Sequence, residues 1–329
     1  MPDGSWRGWG RFVSIPARRY ARRTQRSTTL ADKAQETPVC DYEDSDYRAR
    51  FWASGGRDYE DQVERIALRR LMPAEGDTLI EVGAGFGRLA DEYRGYTRVV
   101  LFDYSRSLLR EAQSYLGGDP RYIFVAGNWY QMPFVAGLFE TIVQVRTLHH
   151  AADVPALFTQ LDTIARPKAS YVLEFASKRN LKAILRYASR RQSWSPFSEE
   201  PIEFVELNYD FHPRWIDRQL RAAGFSPEQM LTVSHFRLPW IKRLIPTRAL
   251  VALDAAAQQS GNWWQLTPSV FVLNHASAAG SAAAPGAFFA CPSCQTPLAE
   301  EDERKMPCPG CGKQWRVEDG LYDFKEPLP

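Results

Sequence analysis

The sequence has little cysteine, no strong excess of either charge and no long hydrophobic run. Its 329 residues include five cysteines, and 41 basic side chains are nearly balanced by 39 acidic ones. This balance gives no overall sign of a nucleic-acid-binding protein. Without a run of about 18 apolar residues, no transmembrane helix is expected, and the first residues lack the apolar segment of a secretory signal. The composition is that of an ordinary globular protein.

The basic residues are concentrated at the start of the chain. The first 30 residues carry seven arginines and one acid, a local net charge of +6, with aromatic residues between them. We expect residues 1–40 to form a basic, disordered arm. The alternative is an arm that lies on phosphates, including those of RNA, or on an anionic membrane surface.

Strand-like and helix-like segments alternate from about residue 41. The apolar patterns predict strands at 77–82, 98–102, 122–126, 141–145 and 170–175, and closing strands at 231–237 and 269–274. They predict helices at 88–93, 107–116, 154–165 and 213–223. Strands separated by helices imply an α/β fold, with a doubly wound, mostly parallel sheet that is covered by helices on both faces. We assign this domain to residues 41–275.

The last part of the chain differs in composition. Residues 276–287, with the sequence ASAAGSAAAPGA, are small and are predicted to form a flexible linker. The remaining segment, 288–329, is too short to bury a self-sufficient core, so a small module there needs a covalent or metal link.

A glycine-rich loop follows the first predicted strand. Gly83, Gly85 and Gly87 let the backbone turn sharply and approach a ligand closely. The spacing is GxGxG, whereas the dinucleotide pattern would need glycine where Arg88 stands. Glu81 at the strand end would repel a pyrophosphate and favour a cationic ligand.

Asp103 ends the next predicted strand, 20 residues after Gly83. At this place in such folds a carboxylate meets ribose hydroxyls. The alternative is that the glycines only form a tight turn and that Asp103 caps the helix that starts near Ser107.

These motifs resemble those of class I S-adenosylmethionine (SAM) methyltransferases of type 11. The matching residues are Glu81–Gly87, Asp103, 126–134, 138–143, Leu148-His149-His150 and 164–169. The resemblance implies a Rossmann-like fold and SAM as cofactor. It implies that Glu81 orients the methionine end, Asp103 binds the ribose and Tyr104 flanks the adenine. The cofactor-binding residues carried over are Glu81, Gly83, Ala84, Gly85, Gly87, Asp103, Tyr104, Asn128 and Trp129. Asn128 stands where the family usually has aspartate.

Methyl transfer requires a base only if the acceptor must lose a proton. His149, His150 and Glu174 are weak catalytic candidates near the carboxyl end of the sheet. We favour packing or capping for the two histidines, whereas Glu174 is equally consistent with an ion pair to Arg146 or with a place facing solvent.

Four of the five cysteines form two CxxC knuckles. Cys291 and Cys294 are separated by 13 residues from Cys308 and Cys311. Four thiolates suit a closed, tetrahedral Zn²⁺ site, which is structural. Thiol usage of this kind is typical of a reducing compartment, so we expect a cytoplasmic protein.

The same segment resembles the Trm112-like zinc ribbons. Shared features are Ala290-Cys291-Pro292, both knuckles and the hydrophobic run that ends in Asp319-Gly320. Elsewhere, separate proteins of this type bind and activate methyltransferases of the translation machinery. Here the ribbon is tethered, which raises its effective concentration. Its net charge of −3 argues against direct RNA binding. We expect an intramolecular contact with the catalytic domain.

We therefore predict an enzyme, a SAM-dependent methyltransferase that acts on an O, N or C atom of a small-molecule or lipid-like acceptor. The near-neutral balance and the aromatic segment 194–211 favour this hypothesis. An RNA or translation-factor acceptor, contacted through the arginine-rich arm, is the alternative. A SAM-binding scaffold without activity is a second alternative, because Asn128 replaces the usual acid.

Overall fold

The fold is taken from a computed structural model, which describes residues 37–45, 57–299 and 304–329. The predicted arm therefore lies outside the described residues up to position 36. The strands are β1 Gly76–Val82, β2 Tyr96–Asp103, β3 Tyr122–Ala126, β4 Phe139–Gln144, β5 Ala165–Ala176, β6 Ile202–Val205, β7 Asn208–Asp210, β8 Ser226–Val233, β9 Ser269–His275, β10 Lys305–Pro307, β11 Gln314–Glu318 and β12 Leu321–Asp323. The helices are α1 Asp58–Leu71, α2 Arg106–Leu116, α3 Val154–Ile164, α4 Leu181–Ala188, α5 Pro213–Ala222, α6 Pro239–Leu244 and α7 Thr247–Ala257.

Ten of these strands form one sheet in the order β10-β11-β12-β3-β2-β1-β4-β5-β9-β8. The central strands β3, β2, β1, β4 and β5 are parallel. Strand β9 is antiparallel to both β5 and β8. The predicted fold class and the pairing of the two closing strands are confirmed.

The sheet is buried on both faces. Residues that alternate along β1 pack in two different hydrophobic cores, one on each face. Ile80 and Val82 pack with α3 and α5 in one core. Leu79 packs with α1, α2 and α7 in the other. Continuous apolar strands of this kind are expected where helices cover both faces of a parallel sheet.

The helix predicted at 88–93 is wrong in type and length. A short 3₁₀ helix, Ala90–Tyr93, stands there. The Ala90 N–H donates to the Gly87 carbonyl and the Glu92 N–H to Leu89, which is the tighter i to i+3 pattern. Gly87 itself has φ +73°, so an α-helix cannot begin before it.

The predicted linker, residues 276–287, contacts the domain at Ser277 and Ala283, while most of its residues are exposed. The Ala283 N–H donates to the Gly137 carbonyl at 2.9 Å, and the Lys168 N–H donates to Ser277 at 3.1 Å. A Cβ on Gly137 would lie 2.2 Å from the Ser281 carbonyl oxygen. The small side chains that suggested flexibility also permit this close backbone packing.

The C-terminal segment continues the main sheet. Strand β12 pairs in parallel with β3, and Leu321 lies opposite Phe124. Phe289, Trp315 and Phe324 pack in the same core as α3 and α5. This segment and the larger domain are in direct contact, as the sequence predicted for the ribbon. In the part of the chain that the structure describes, no helix has the length and apolarity needed to cross a membrane.

Candidate functional site

The glycine loop leaves the carboxyl end of β1 and turns under β2. Gly83, Gly85 and Gly87 adopt φ values of +75°, +54° and +73°, a region that other residues rarely occupy. The Gly83 N–H donates to the Phe102 carbonyl at 2.8 Å. A Cβ on Gly83 would lie 2.3 Å from Thr147 Cγ2. This position therefore requires glycine both for its backbone conformation and for space.

Two adjoining cavities open at this edge of the sheet. Together with the space open to solvent they measure about 520 and 420 Å³. Seven of the nine predicted cofactor residues line one cavity or both. These are Glu81, Gly83, Ala84, Gly85, Asp103, Tyr104 and Trp129.

The other two predicted cofactor residues line neither cavity. Gly87 lies in the loop but outside both cavities, and a Cβ added to it would lie 3.1 Å from Leu116 Cδ1. The Asn128 Oδ1 atom accepts from the Tyr130 N–H at 2.9 Å and so forms a local turn. Gly87 therefore shapes the loop, and Asn128 shapes the segment beside the second cavity.

Glu81 is a buried carboxyl in the wall of the first cavity. The residue is 3% exposed, and burial raises its pKa to about 8, although Arg88 acts in the opposite direction. The Tyr93 hydroxyl lies near enough to lower the pKa of Glu81. The Tyr93 hydroxyl nevertheless forms no hydrogen bond with Glu81. Within the described ranges, Glu81 Oε2 has no hydrogen-bond partner. A buried carboxylate oxygen without a partner is costly, so this atom suits a cationic or hydrogen-bonding ligand.

Asp103 lies between the two cavities and lines both. Its Oδ2 accepts from the Gly85 N–H at 2.7 Å and its Oδ1 from the Ser105 N–H at 2.8 Å. Burial raises the pKa of Asp103, and these backbone donors act against that effect. Two carboxylate oxygens offer about four acceptor positions, so Asp103 keeps capacity for ligand hydroxyls.

The C-terminal segment contacts Tyr104, which lines the second cavity. Lys325 Nζ lies 3.9 Å from the centroid of the Tyr104 ring and 3.4 Å from Asp41 Oδ2. Nearby, Arg106 Nε donates to Asp323 Oδ2 at 2.7 Å. These contacts connect the residue predicted to flank adenine with the end of β12.

The two predicted histidines differ in their surroundings. His150 lines both cavities. Its Nδ1 lies 2.8 Å from the Leu207 carbonyl, which can only accept, and its Nε2 lies 2.9 Å from the Tyr42 hydroxyl. His149 lines neither cavity and packs against His150, with ring centroids 4.0 Å apart and ring planes tilted by 47°. Burial lowers the pKa of both rings, so they are neutral, and His150 positions Tyr42.

Glu174 supports the site and does not face either cavity. Its Oε2 accepts from the Arg146 N–H at 2.9 Å, and its Oε1 accepts from Ser269 Oγ at 2.7 Å. Burial raises the pKa of Glu174. The predicted proximity to Arg146 is present, but the bond goes to the Arg146 backbone. The Arg146 guanidinium binds Glu64 instead, with Nε 2.8 Å from Oε1.

Glu64 fixes two arginines in the wall of the first cavity. Its side chain has no solvent exposure, and Arg88 also reaches it at 3.1 Å. Burial alone would raise the pKa of Glu64, but Arg146 and Arg88 outweigh burial and hold it below the usual range. A buried carboxylate with two such partners keeps the guanidinium groups of the cavity wall in place.

Sequence reasoning missed several lining residues. Tyr42, Arg146 and Thr147 line the first cavity, and none belongs to the glycine motif. Val39 and Cys40 line the second cavity, although the sequence placed them in the basic arm. For Arg146 and Thr147 a signal was present, because they directly follow a strand at the edge where ligands bind.

The four C-terminal cysteines come together as one cluster. Their sulfur atoms lie within 4.8 Å of one another. Cys291 and Cys311 are 3.7 Å apart, and Cys294 and Cys308 are 3.4 Å apart. Tetrahedral metal–thiolate bonds of about 2.3 Å imply sulfur–sulfur distances of about 3.8 Å. The donor set fits one tetrahedral metal ion.

In a comparison with known proteins, one family model matches the residues that form the centre of this sheet. Residues 80–173 match the family described as "Methyltransferase domain". No match to a curated protein was found. The matched range runs from β1 to β5 and contains the glycine loop, Asp103 and both histidines.

Solved structures with the same fold include methyltransferases. A chain from the complex between the Haloferax volcanii Trm112 methyltransferase activator and a candidate methyltransferase is 15% identical, with a TM-score of 0.50. It covers 71% of this chain and 96% of that one. A candidate SAM-dependent methyltransferase from Listeria monocytogenes is 15% identical, covers 67% and 99%, and has a TM-score of 0.48. A SAM-dependent methyltransferase from Mesorhizobium loti is 19% identical, covers 65% of this chain and 97% of that one, and has a TM-score of 0.47. Residues 80–173 are thus similar to a methyltransferase domain family, and the chain shares its fold with the solved structure from Haloferax volcanii.

Proposed function

We propose that this chain is a SAM-dependent methyltransferase with its active site in the two adjoining cavities. The observation that carries the proposal is the pairing of a glycine loop with two acids, Glu81 and Asp103, at the carboxyl ends of β1 and β2. The unpartnered Oε2 of Glu81 provides an anionic partner for the amino group of the methionine part.

The residues divide into a methionine side and a nucleoside side. Gly83, Gly85 and Glu81 would hold the methionine part in the first cavity. Asp103 would accept from the ribose hydroxyls, while Tyr104 and Trp129 would flank the adenine in the second cavity. Gly87 would act by shaping the loop, and Asn128 by holding the Trp129 segment through its bond to Tyr130.

Bound SAM supplies a methyl group on a sulfonium, and transfer needs mainly position and exclusion of water. His150 would orient Tyr42, which lines both cavities. The acceptor would be a small molecule. With both ring nitrogens of His150 already in hydrogen bonds, we assign His149, His150 and Glu174 positioning roles and not that of a base.

The C-terminal segment would act as a tethered, Trm112-like zinc ribbon. The four-thiol cluster would hold one structural Zn²⁺, which suits a cytoplasmic location. The solved complex of an activator with a methyltransferase partner concerns that pair of proteins. Here the support is intramolecular, namely β12 on β3 and Lys325 over the Tyr104 ring.

Asp103→Ala is expected to weaken SAM binding by about 1.5–3 kcal/mol, because charge-assisted hydrogen bonds of this kind contribute that much. This corresponds to a loss of roughly 10- to 150-fold. Calorimetry with SAM and with its demethylated product measures the change. Asp91→Ala is the matched control, since the Asp91 side chain is 72% exposed and lines neither cavity.

The same calorimetry tests the proposed function as a whole. Wild-type protein without affinity for SAM or the demethylated product would exclude it. Transfer of labelled methyl groups to a cell extract, followed by size fractionation, then separates a small acceptor from RNA or protein. A protein that binds SAM and labels no fraction would be a scaffold.

SAM affinity is expected to rise with pH up to about pH 8. In the free protein Glu81 is largely protonated below its pKa of about 8, and the cationic ligand favours the carboxylate. Binding at lower pH must therefore release a proton. Between pH 6 and pH 8 this linkage alone amounts to about 50-fold.

Glu81→Gln removes the titrating group and should remove this component of the pH dependence while lowering the affinity at pH 8. Calorimetry in buffers of different ionisation enthalpy counts the released protons directly. Equal proton release by wild type and Glu81→Gln would show that another group titrates.

A further inference from the structure

Three segments outside the cofactor cavities meet at one edge of the sheet. Ala176, Ser269 and Val233 are neighbours in the register of β5, β9 and β8. Helix α4 follows the first, the segment 263–268 precedes the second, and α6 follows the third. The Leu181 N–H donates to the Leu266 carbonyl at 2.8 Å. Because β1, β4 and β5 are parallel, this is the edge at which the cavities open. We call it the interfacial edge.

The interfacial edge and its flanks carry most of the exposed large apolar side chains. Eleven of the thirteen such residues in the described part of the chain lie in 181–197 or 238–264. The most exposed are Leu185 at 60%, Leu244 at 74% and Trp263 at 79%. Exposed apolar groups concentrated in this way mark interaction surfaces.

The same segments are basic without acidic counterparts. Residues 179–191 contain five basic and no acidic side chains, and residues 237–248 contain four and none. Lys182, Arg186 and Arg190 are exposed on or just beyond α4, and Arg243 and Arg248 are exposed at α6 and α7. Lys242 and Arg237 differ, because both lie near Glu60, at 2.6 and 4.0 Å.

Acidic residues follow in the segment 199–206, and part of this charge is already used. Glu199 binds Arg218, and Glu203 accepts from the Leu207 N–H at 3.0 Å. The interfacial edge therefore keeps a positive face with leucine and tryptophan side chains among the cations. Short amphipathic helices with this composition lie in the headgroup region of membranes.

We propose that the interfacial edge docks on an anionic membrane surface and that the acceptor is a lipid or lipid-like amphiphile entering the cavity from it. The choice of acceptor rests on the proposed methyltransferase function, whereas the docking does not. Charge complementarity selects anionic headgroups. Exposed aliphatic residues such as Leu185 and Leu244 gain from burial among acyl chains, and they offer no stacking surface to RNA bases. Residues 1–30, with a net charge of +6, would be repelled from this edge.

The test is sedimentation of the full chain with vesicles of phosphatidylcholine alone or mixed with phosphatidylglycerol, at low and high salt. Binding is expected only with phosphatidylglycerol and should weaken with salt. The Arg186→Gln/Arg243→Gln double variant should lose about 30-fold in affinity, since each cation near such a surface contributes about fivefold. Trp240→Ser/Leu244→Ser should lose at least about tenfold.

Matched controls separate this surface from general charge and apolarity. Arg94→Gln removes a side chain that is 76% exposed at the opposite edge, just before β2. Val205→Ser removes an apolar side chain that is 53% exposed outside the three segments. Both should bind vesicles like the wild type.

Three results would overturn the proposal. One is no binding to anionic vesicles, another is equal binding by the double variants, and the third is edge-dependent binding of poly(U) RNA without binding to vesicles. SAM calorimetry on the same preparations keeps the two proposals apart. Loss of SAM binding with intact vesicle binding would contradict only the methyltransferase function, and the reverse would contradict only the docking.

Discussion

Gly83→Ala is expected to lower SAM affinity by at least about 100-fold, the largest single-residue effect on the cofactor site. A left-handed conformation costs alanine roughly 1–2 kcal/mol. The new Cβ would in addition lie 2.3 Å from Thr147 Cγ2 and 2.8 Å from Thr147 Cβ. Thr147 cannot move freely, because its hydroxyl donates to the Val82 carbonyl at 3.2 Å. The loop must therefore shift in the region where Gly83 and Thr147 line both cavities.

Two further glycine variants separate the causes of this effect. Gly85→Ala has the backbone cost alone, since φ is +54° and the nearest atom, Leu108 Cδ1, lies at 3.9 Å. It should lose less affinity than Gly83→Ala. Gly118→Ala meets nothing within 4 Å and should bind SAM like the wild type. Calorimetry and thermal unfolding on all three variants measure this order. A Gly83→Ala protein with wild-type affinity would show that the ligand lies elsewhere.

The parts of the site that sequence reasoning located are those encoded locally. The glycine spacing, Glu81 and Asp103 lie at the ends of apolar segments that must be buried strands. Because parallel strands end at one edge, their end residues meet there. Local patterns also predicted that the four cysteine thiols form one cluster, since the two short CxxC knuckles need only fold back on each other. Both sets of residues lie where the sequence placed them.

The parts that sequence reasoning missed come from distant segments. Tyr42 reaches His150 across 108 positions of the chain, and Lys325 reaches Tyr104 across 221 positions. No periodicity or spacing connects such pairs, because only the completed sheet brings them together. The linker shows a different difficulty. Alanine and glycine allow both flexibility and close packing, and only the partner surface at Gly137 decides between them.

Cys308→Ser is expected to reduce the metal content from one zinc per chain to nearly none. The Cys308 sulfur is 3.4 Å from Cys294 and the residue is 3% exposed, so serine would leave three thiolates and a buried hydroxyl. Structural zinc supplies about 10–16 kcal/mol to small metal-dependent folds. A segment of this size has little other core to replace it. Metal analysis and limited proteolysis of the C-terminal segment measure the loss.

Two companion variants test whether metal binding is the cause. Cys308→His keeps a zinc ligand and should restore part of the metal content. Ser293→Ala changes a residue between two of the cysteines, whose hydroxyl accepts from Lys313 Nζ at 2.9 Å, and should keep the full content. One zinc per chain in Cys308→Ser would contradict the assignment.

Loss of the metal should also be felt in the cofactor site. The register of β12 on β3 places Asp323 opposite Ala126, and Arg106 binds Asp323 beside the start of α2. If the C-terminal segment unfolds, Tyr104, which lines the second cavity, loses its contact with Lys325. SAM affinity should then fall by at least about tenfold, because fewer molecules are in the binding-competent state. An unfolded C-terminal segment with unchanged SAM affinity would show that the ribbon is only attached to the catalytic domain and does not complete its site.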